Sequence, residues 1–161
     1  MSTRIGLGFD VHAFGGDGPL VLGGERLDGH GLVGHSDADV ITHAVADALL
    51  GAAGLGDLGT MFPASDDEWA GASSVALLAT VAERVAADGW SIVNIDVSVA
   101  AEEPMLAPHV DAMQRNIAGA VATAATEGAV PVRISPKHAE GLGAIGRAEG
   151  IAAWAVALVG S

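Results

Sequence analysis

The chain has 161 residues, half of them hydrophobic, with 32 alanines and 23 glycines. That length fits a single domain, residues 1–161, with a core of its own, and the composition excludes a disordered chain. Seven basic against twenty acidic residues give a formal charge of −13, which argues against nucleic acid or an anionic membrane as partner and leaves helix N-termini or metal ions to meet any phosphate.

The absence of cysteine excludes disulfides, iron–sulfur clusters and thiol chemistry, so any metal falls to His and carboxylates. MSTRIGLGFD lacks the apolar stretch of a signal peptide, and the longest apolar run, Ile151–Val159, is far short of a membrane span. A cytoplasmic protein is expected.

Thr3–Phe9 alternates around Ile5, Leu7 and Phe9 and predicts a strand. Gly15–Pro19 carries turn residues, and Leu20–Leu22 is a short strand before Gly23-Gly24. Ser36 is the expected N-cap of a helix, with Asp37 and Asp39 in its first turn, continuing through Val40, Ile41, Ala44, Val45, Ala48 and Leu49 to Gly51 or Gly54. A glycine-rich loop follows to Pro63. Ser73 or Ser74 caps a second helix that Asp88-Gly89 stops. Ile92–Val99 reads as a strand. Pro108 opens a third helix running towards Ala125, and Val132–Ser135 reads as a further strand. In the last element, Gly150–Val159, Trp154, Val156 and Leu158 alternate while the alanines also permit a helix; a buried strand is favoured. The order β-α-α-β-α-β-β predicts an α+β sheet with helices on one side.

Asp10-Val-His12 follows the first strand, where residues two apart share a side, so a carboxylate and an imidazole can converge. His43 lies in the first helix, on a stripe with Asp39 and Asp47. Two ligands from a strand end and one from a helix leave a tetrahedral zinc one open position, with Asp39 or Asp47 available to orient His43. His35-Ser36-Asp37 stands where the helix begins, so that free N–H groups there can accept a phosphate with His35 as an adjacent donor. Gly54–Gly59 and Gly141–Gly146 both match G-x-G-x-x-G. The first follows a helix and the second lies too near Ser161 for a ribose-binding acid, so neither predicts a dinucleotide site. Lys137, His138 and Glu140 precede the second glycine loop and Arg147-Ala-Glu149 follows it; Glu140 offers an oxygen ligand suited to Mg²⁺.

Together, Gly8–Phe14 (GFDVHAF), His35–His43 (HSDADVITH), Asp47–Ala53, Gly56–Gly59 with Phe62-Pro63, Pro108-His109 and Gly146–Ala152 resemble the 2-C-methyl-D-erythritol 2,4-cyclodiphosphate synthase family over nearly the whole chain. The resemblance implies a ferredoxin-like sandwich with a four-stranded sheet and helices on one face. It further implies a homotrimer around a threefold axis, with active sites between subunits. It implies a non-mevalonate isoprenoid reaction in which the 2-phosphate of 4-diphosphocytidyl-2-C-methyl-D-erythritol 2-phosphate attacks the β-phosphate and expels CMP. In that reading Asp10, His12 and His43 bind Zn²⁺ or another divalent transition metal, and Glu140 binds Mg²⁺ or Mn²⁺ on the diphosphate. His35 and His138 are the catalytic positions. Asp10, His12, Ser36, Asp57, Gly59, Phe62, Asp66, Lys137 and Arg147 face substrate, and Ala101, Pro104, Met105, Leu106 and Ala107 wall the cytosine pocket. Arg147 and Glu149 match a central cavity that can take a prenyl diphosphate.

The chain departs from the family at Pro136–Glu140, where His138 replaces a threonine, and at Ala64, Met105 and Ala144. Two other readings use the same residues: a zinc-dependent phosphohydrolase, and a non-catalytic trimer that binds a prenyl diphosphate.

Overall fold

The structure is a computed structural model describing residues 2–125 and 128–161. The first strand, β1, runs from Thr3 to Leu22, far beyond the predicted Phe9, and turns at Gly23-Gly24 into β2, Glu25–Leu32, which the sequence reading did not anticipate. The glycines at 15–18 do not make the expected turn. A Cβ on Gly16 would lie 2.1 Å from the Leu32 carbonyl oxygen, and one on Gly31 would lie 2.2 Å from that of Gly18. They allow two backbones to pass closely in a bulged hairpin, whose register shifts between Phe14 and Leu20.

After the hairpin come α1 (Val40–Ala53), the short α2 (Leu58–Met61), α3 (Ser74–Ala87, capped by Ser73) and β3 (Ser91–Ala100). The predicted third helix is divided: Pro108 sits in a 3₁₀ turn, α4 covers Val110–Ala120, and another 3₁₀ turn spans Ala122–Ala124. β4 (Val132–Lys137), the one-turn α5 (Gly143–Gly146) and β5 (Gly150–Gly160) complete the order, and β5 is the buried strand expected. The described strands form one sheet ordered β2-β1-β5-β3-β4, antiparallel except for β3–β4. It has five strands rather than four, the additional one being β2.

Parity along β1 decides which side is covered. Gly6 and Gly8 face α1 so closely that added Cβ atoms would lie 2.0 Å from the Ala48 carbonyl oxygen and 1.9 Å from that of Ala44. Ile41, Leu49, Leu78 and Met113 from the helices meet Ile95, Ile134 and Ile151 from the sheet in one core. The odd-numbered residues Ile5, Leu7, Phe9 and Val11 point outward and are exposed, as are Trp154 and Val156 of β5. Gly8→Ala drives a methyl into helix backbone that cannot turn aside; we expect urea unfolding to record a loss of about 3 kcal/mol.

Asp39, not Ser36, caps α1. Its fully buried carboxylate accepts from Thr42 N (3.1 Å), Thr42 Oγ1 (2.7 Å), Gly23 N (2.8 Å) and Gly24 N (2.7 Å), which fastens the hairpin turn to the start of the helix. Burial pushes the Asp39 carboxyl up and these donors oppose it. Asp39→Ala leaves buried donors without an acceptor, so thermal unfolding should show a loss of roughly 3 kcal/mol. No helix among the described residues is long and apolar enough to cross a membrane.

Candidate metal centre

Asp10 and His12 continue the even-numbered face of β1 that carries Gly6 and Gly8, so both point towards α1. The close approach at Gly8 brings Ala44, and with it His43, against the same point. Asp10 Oδ2 lies 2.9 Å from both His12 Nε2 and His43 Nδ1, and the two ring nitrogens are 3.3 Å apart. This is the one group of three His, Cys, Asp or Glu ligands gathered in this way among the described residues. All three side chains are largely enclosed, with exposures of 25%, 18% and 12% for Asp10, His12 and His43.

The surrounding hydrogen bonds assign the imidazole protons. His12 Nδ1 is 2.6 Å from the Val33 carbonyl oxygen, which can only accept, so Nδ1 carries a proton and Nε2 turns to the cluster, where it donates to Asp10 when protonated and offers a lone pair when an ion is bound. On the far side of His43, Nε2 is 2.8 Å from Ser74 Oγ and 3.0 Å from Ser36 Oγ. Burial alone would raise the Asp10 carboxyl, but the hydrogen bonds and charges of His12 and His43 hold it well below the usual range. The hydrogen bond to Asp10 in turn raises His12 against the effect of burial. A carboxylate oxygen and imidazole nitrogens facing one another at such distances are held together either by protons on the rings or by a cation among them. The donor set, two His and one Asp, fits zinc with an open fourth position.

The cluster lies in a cleft of about 320 Å³ that His35, Ser36, Gly59 and Phe62 also line. Trp69, packed edge-on against Phe62 at 5.0 Å, and Leu77 complete its apolar wall; neither belongs to a motif that the sequence reading could have used. Asp57 caps α2 through Thr60 N (2.7 Å). The Asp66 carbonyl accepts from His35 Nε2 at 3.2 Å.

The remaining predicted residues lie elsewhere. Ala101, Met105, Leu106, Ala107, Lys137, His138, Glu140 and Arg147 do not line this cleft, and Pro104 lines a separate cavity with Phe14 and His30. Ala101 N donates to the Lys137 carbonyl (3.0 Å) and Ala139 N to Glu102 (3.1 Å), tying the ends of β3 and β4 together. Arg147 pairs with Glu149 at 2.6 Å on the surface.

Two expectations are corrected. The carboxylate of Asp39 is occupied by the hairpin and Thr42, and that of Asp47 accepts from Leu58 N at 2.7 Å, so neither orients the His43 ring. The start of α1 is not a free anion site, because Asp39 itself accepts from its first turn.

Fold and cluster define a mixed α+β protein with a candidate metal site of three ligands. A model of the YgbB family matches residues 3–160, and the chain belongs to that family. It is 50% identical over 162 residues to the 2-C-methyl-D-erythritol 2,4-cyclodiphosphate synthase of Thermosynechococcus vestitus, covering 100% of this chain and 98% of that one. It is 47% identical over 157 residues to the bifunctional enzyme IspD/IspF of Anaeromyxobacter dehalogenans; the match takes in 98% of this chain but spans only 40% of that longer relative. A solved 2C-methyl-D-erythritol-2,4-cyclodiphosphate synthase, in a form bound to CDP, superposes with a TM-score of 0.84 at 32% identity, covering 98% of this chain and 100% of that chain.

Proposed function

We propose that this chain is a phosphorus–oxygen lyase that closes 2-C-methyl-D-erythritol 2,4-cyclodiphosphate from 4-diphosphocytidyl-2-C-methyl-D-erythritol 2-phosphate, releasing CMP. The observation that carries the reading is the cluster of Asp10, His12 and His43 in a cleft lined by no Lys or Arg. The relatives' names and the CDP-bound neighbour support the substrate class.

An oxygen of the 2-phosphate attacks the β-phosphorus as the bond from that phosphorus to the CMP oxygen breaks; no water enters. Phosphate attacking diphosphate is opposed by like charge, so catalysis is mainly positioning and neutralisation. Asp10, His12 and His43 would hold a zinc-type ion, which when bound supplies positive charge to the phosphate. His35 donates to the phosphates from the cleft rim, and Ser36 and Gly59 place them. The attacking phosphate is already ionised near neutral pH, so no general base is required.

Glu140 would hold Mg²⁺ or Mn²⁺ on the diphosphate, with Lys137 and His138 beside it and Ala101–Ala107 around the cytosine. These residues lie off the cleft of their own chain, which supports a homotrimer in which a neighbour supplies them. Arg147 and Glu149 would then face a central cavity suited to a prenyl diphosphate.

Metal analysis with a CMP-release assay in ¹⁸O-water tests the reaction. We expect bound zinc, one CMP per cyclic product and no solvent oxygen in that product. Solvent oxygen in the product would identify a phosphohydrolase, and absence of turnover would identify a binding protein.

A further inference from the structure

Ser74 begins α3, 31 residues from His43, and is only 1% exposed. Its hydroxyl touches His43 Nε2 at 2.8 Å and also lies within hydrogen-bond reach of Asp37 Oδ1. Asp37 is firmly held in turn: Oδ2 accepts from Ser74 N at 3.0 Å and Oδ1 from Asp39 N at 3.3 Å. A carboxylate accepts only, so the Ser74 hydroxyl spends its proton on Asp37 and turns a lone pair towards the ring. With Ser74 presenting a lone pair, His43 Nε2 is placed as the donor, which leaves Nδ1, 2.9 Å from Asp10 Oδ2, as the nitrogen that coordinates when an ion sits among the three side chains. Ser36 Oγ, 3.0 Å from the same nitrogen, has no such carboxylate fixing its proton and accepts from Ala38 N at 3.3 Å.

We propose that Ser74, clamped by Asp37, is the positioning residue of the metal centre: it selects the His43 tautomer that exposes Nδ1 and fixes the ring's direction. The proposal rests on the reading of Asp10, His12 and His43 as ligands. Outer partners of this kind change metal affinity by roughly 10–100-fold. Asp37 serves through Ser74 and touches neither the ion nor substrate.

Two measurements test this. Long-range ¹H–¹⁵N spectra of the zinc-loaded wild-type chain should show His43 protonated at Nε2 and without a proton at Nδ1; the reverse pattern would overturn the proposal without any variant. Competition of Ser74→Ala with a chromophoric zinc chelator should show about 10–100-fold weaker binding while the unfolding temperature of the metal-free chain stays near wild type. Asp37→Asn must place an amide N–H against either the hydroxyl or the N–H of Ser74, and should weaken zinc similarly. Unchanged affinity in both folded variants would sink the proposal, whereas a wild-type chain that takes up no zinc would sink the ligand reading beneath it.

Discussion

Replacing His43 by alanine should abolish zinc retention and CMP release together, with turnover falling at least a thousandfold, about 4 kcal/mol of transition-state stabilisation. The size follows from the cleft's composition. The chain's own lining holds Asp10 and Asp47 and no Lys or Arg, so an anionic substrate entering without the ion meets negative charge and no fixed cation from that wall. Removing one of three ligands also leaves Asp10 and His12 too few to hold zinc against water. The fold should survive, because His43 lies on the partly open edge of α1 whereas Ile41, Leu49 and Leu50 form its buried face. A variant that kept both metal and activity would refute the site. Atomic absorption on the purified chain and a CMP assay decide it.

The second large effect is expected at the outer face of the sheet. Leu7 and Ile5 are 69% and 70% exposed, and Phe9 stacks on its strand neighbour Trp154 at 5.3 Å while both remain open to solvent. A contiguous apolar surface of this kind suits the interface of the proposed trimer. Leu7→Glu puts a charge where the proposed trimer buries apolar surface, which is unfavourable unless the charge is paired. Sedimentation should then find a 15.9 kDa monomer with native circular dichroism. Turnover should drop more than about a hundredfold, because misplacing the parts of a site costs that much. A variant that stays trimeric, or a monomer that remains active, would contradict a site shared between neighbours.

What could be read in advance followed periodicity. The spacing of Val40, Ile41, Ala44, Val45, Ala48 and Leu49 specified α1, and the alternation of Trp154, Val156 and Leu158 specified β5 against its helix-permitting alanines. β2 has no such signature: ERLDGHGL is extended because β1 pairs with it, a tertiary cause. The glycines at 15–18 looked like a turn because local chemistry cannot distinguish a residue that bends the chain from one that admits a neighbouring strand. At the site, the D-x-H spacing and a helical His were legible, and they do meet. The supports of His12 and His43 were not, since the Val33 carbonyl and Ser74 are brought in by folding across 21 and 31 residues.

The two faces of β1 also constrain how this strand can change over time. Even positions carry the helix contact and then the ligands, while odd positions carry the outward apolar row. Inserting or deleting one residue ahead of Asp10 would rotate the following side chains by half a turn, exchanging the ligands for the outward apolar row along the strand. Such a lineage would lose the ligand set and the outward apolar row in a single step, so length variation should be confined to the hairpin end beyond Ala13, and relatives should keep an unbroken count from Gly6 to His12.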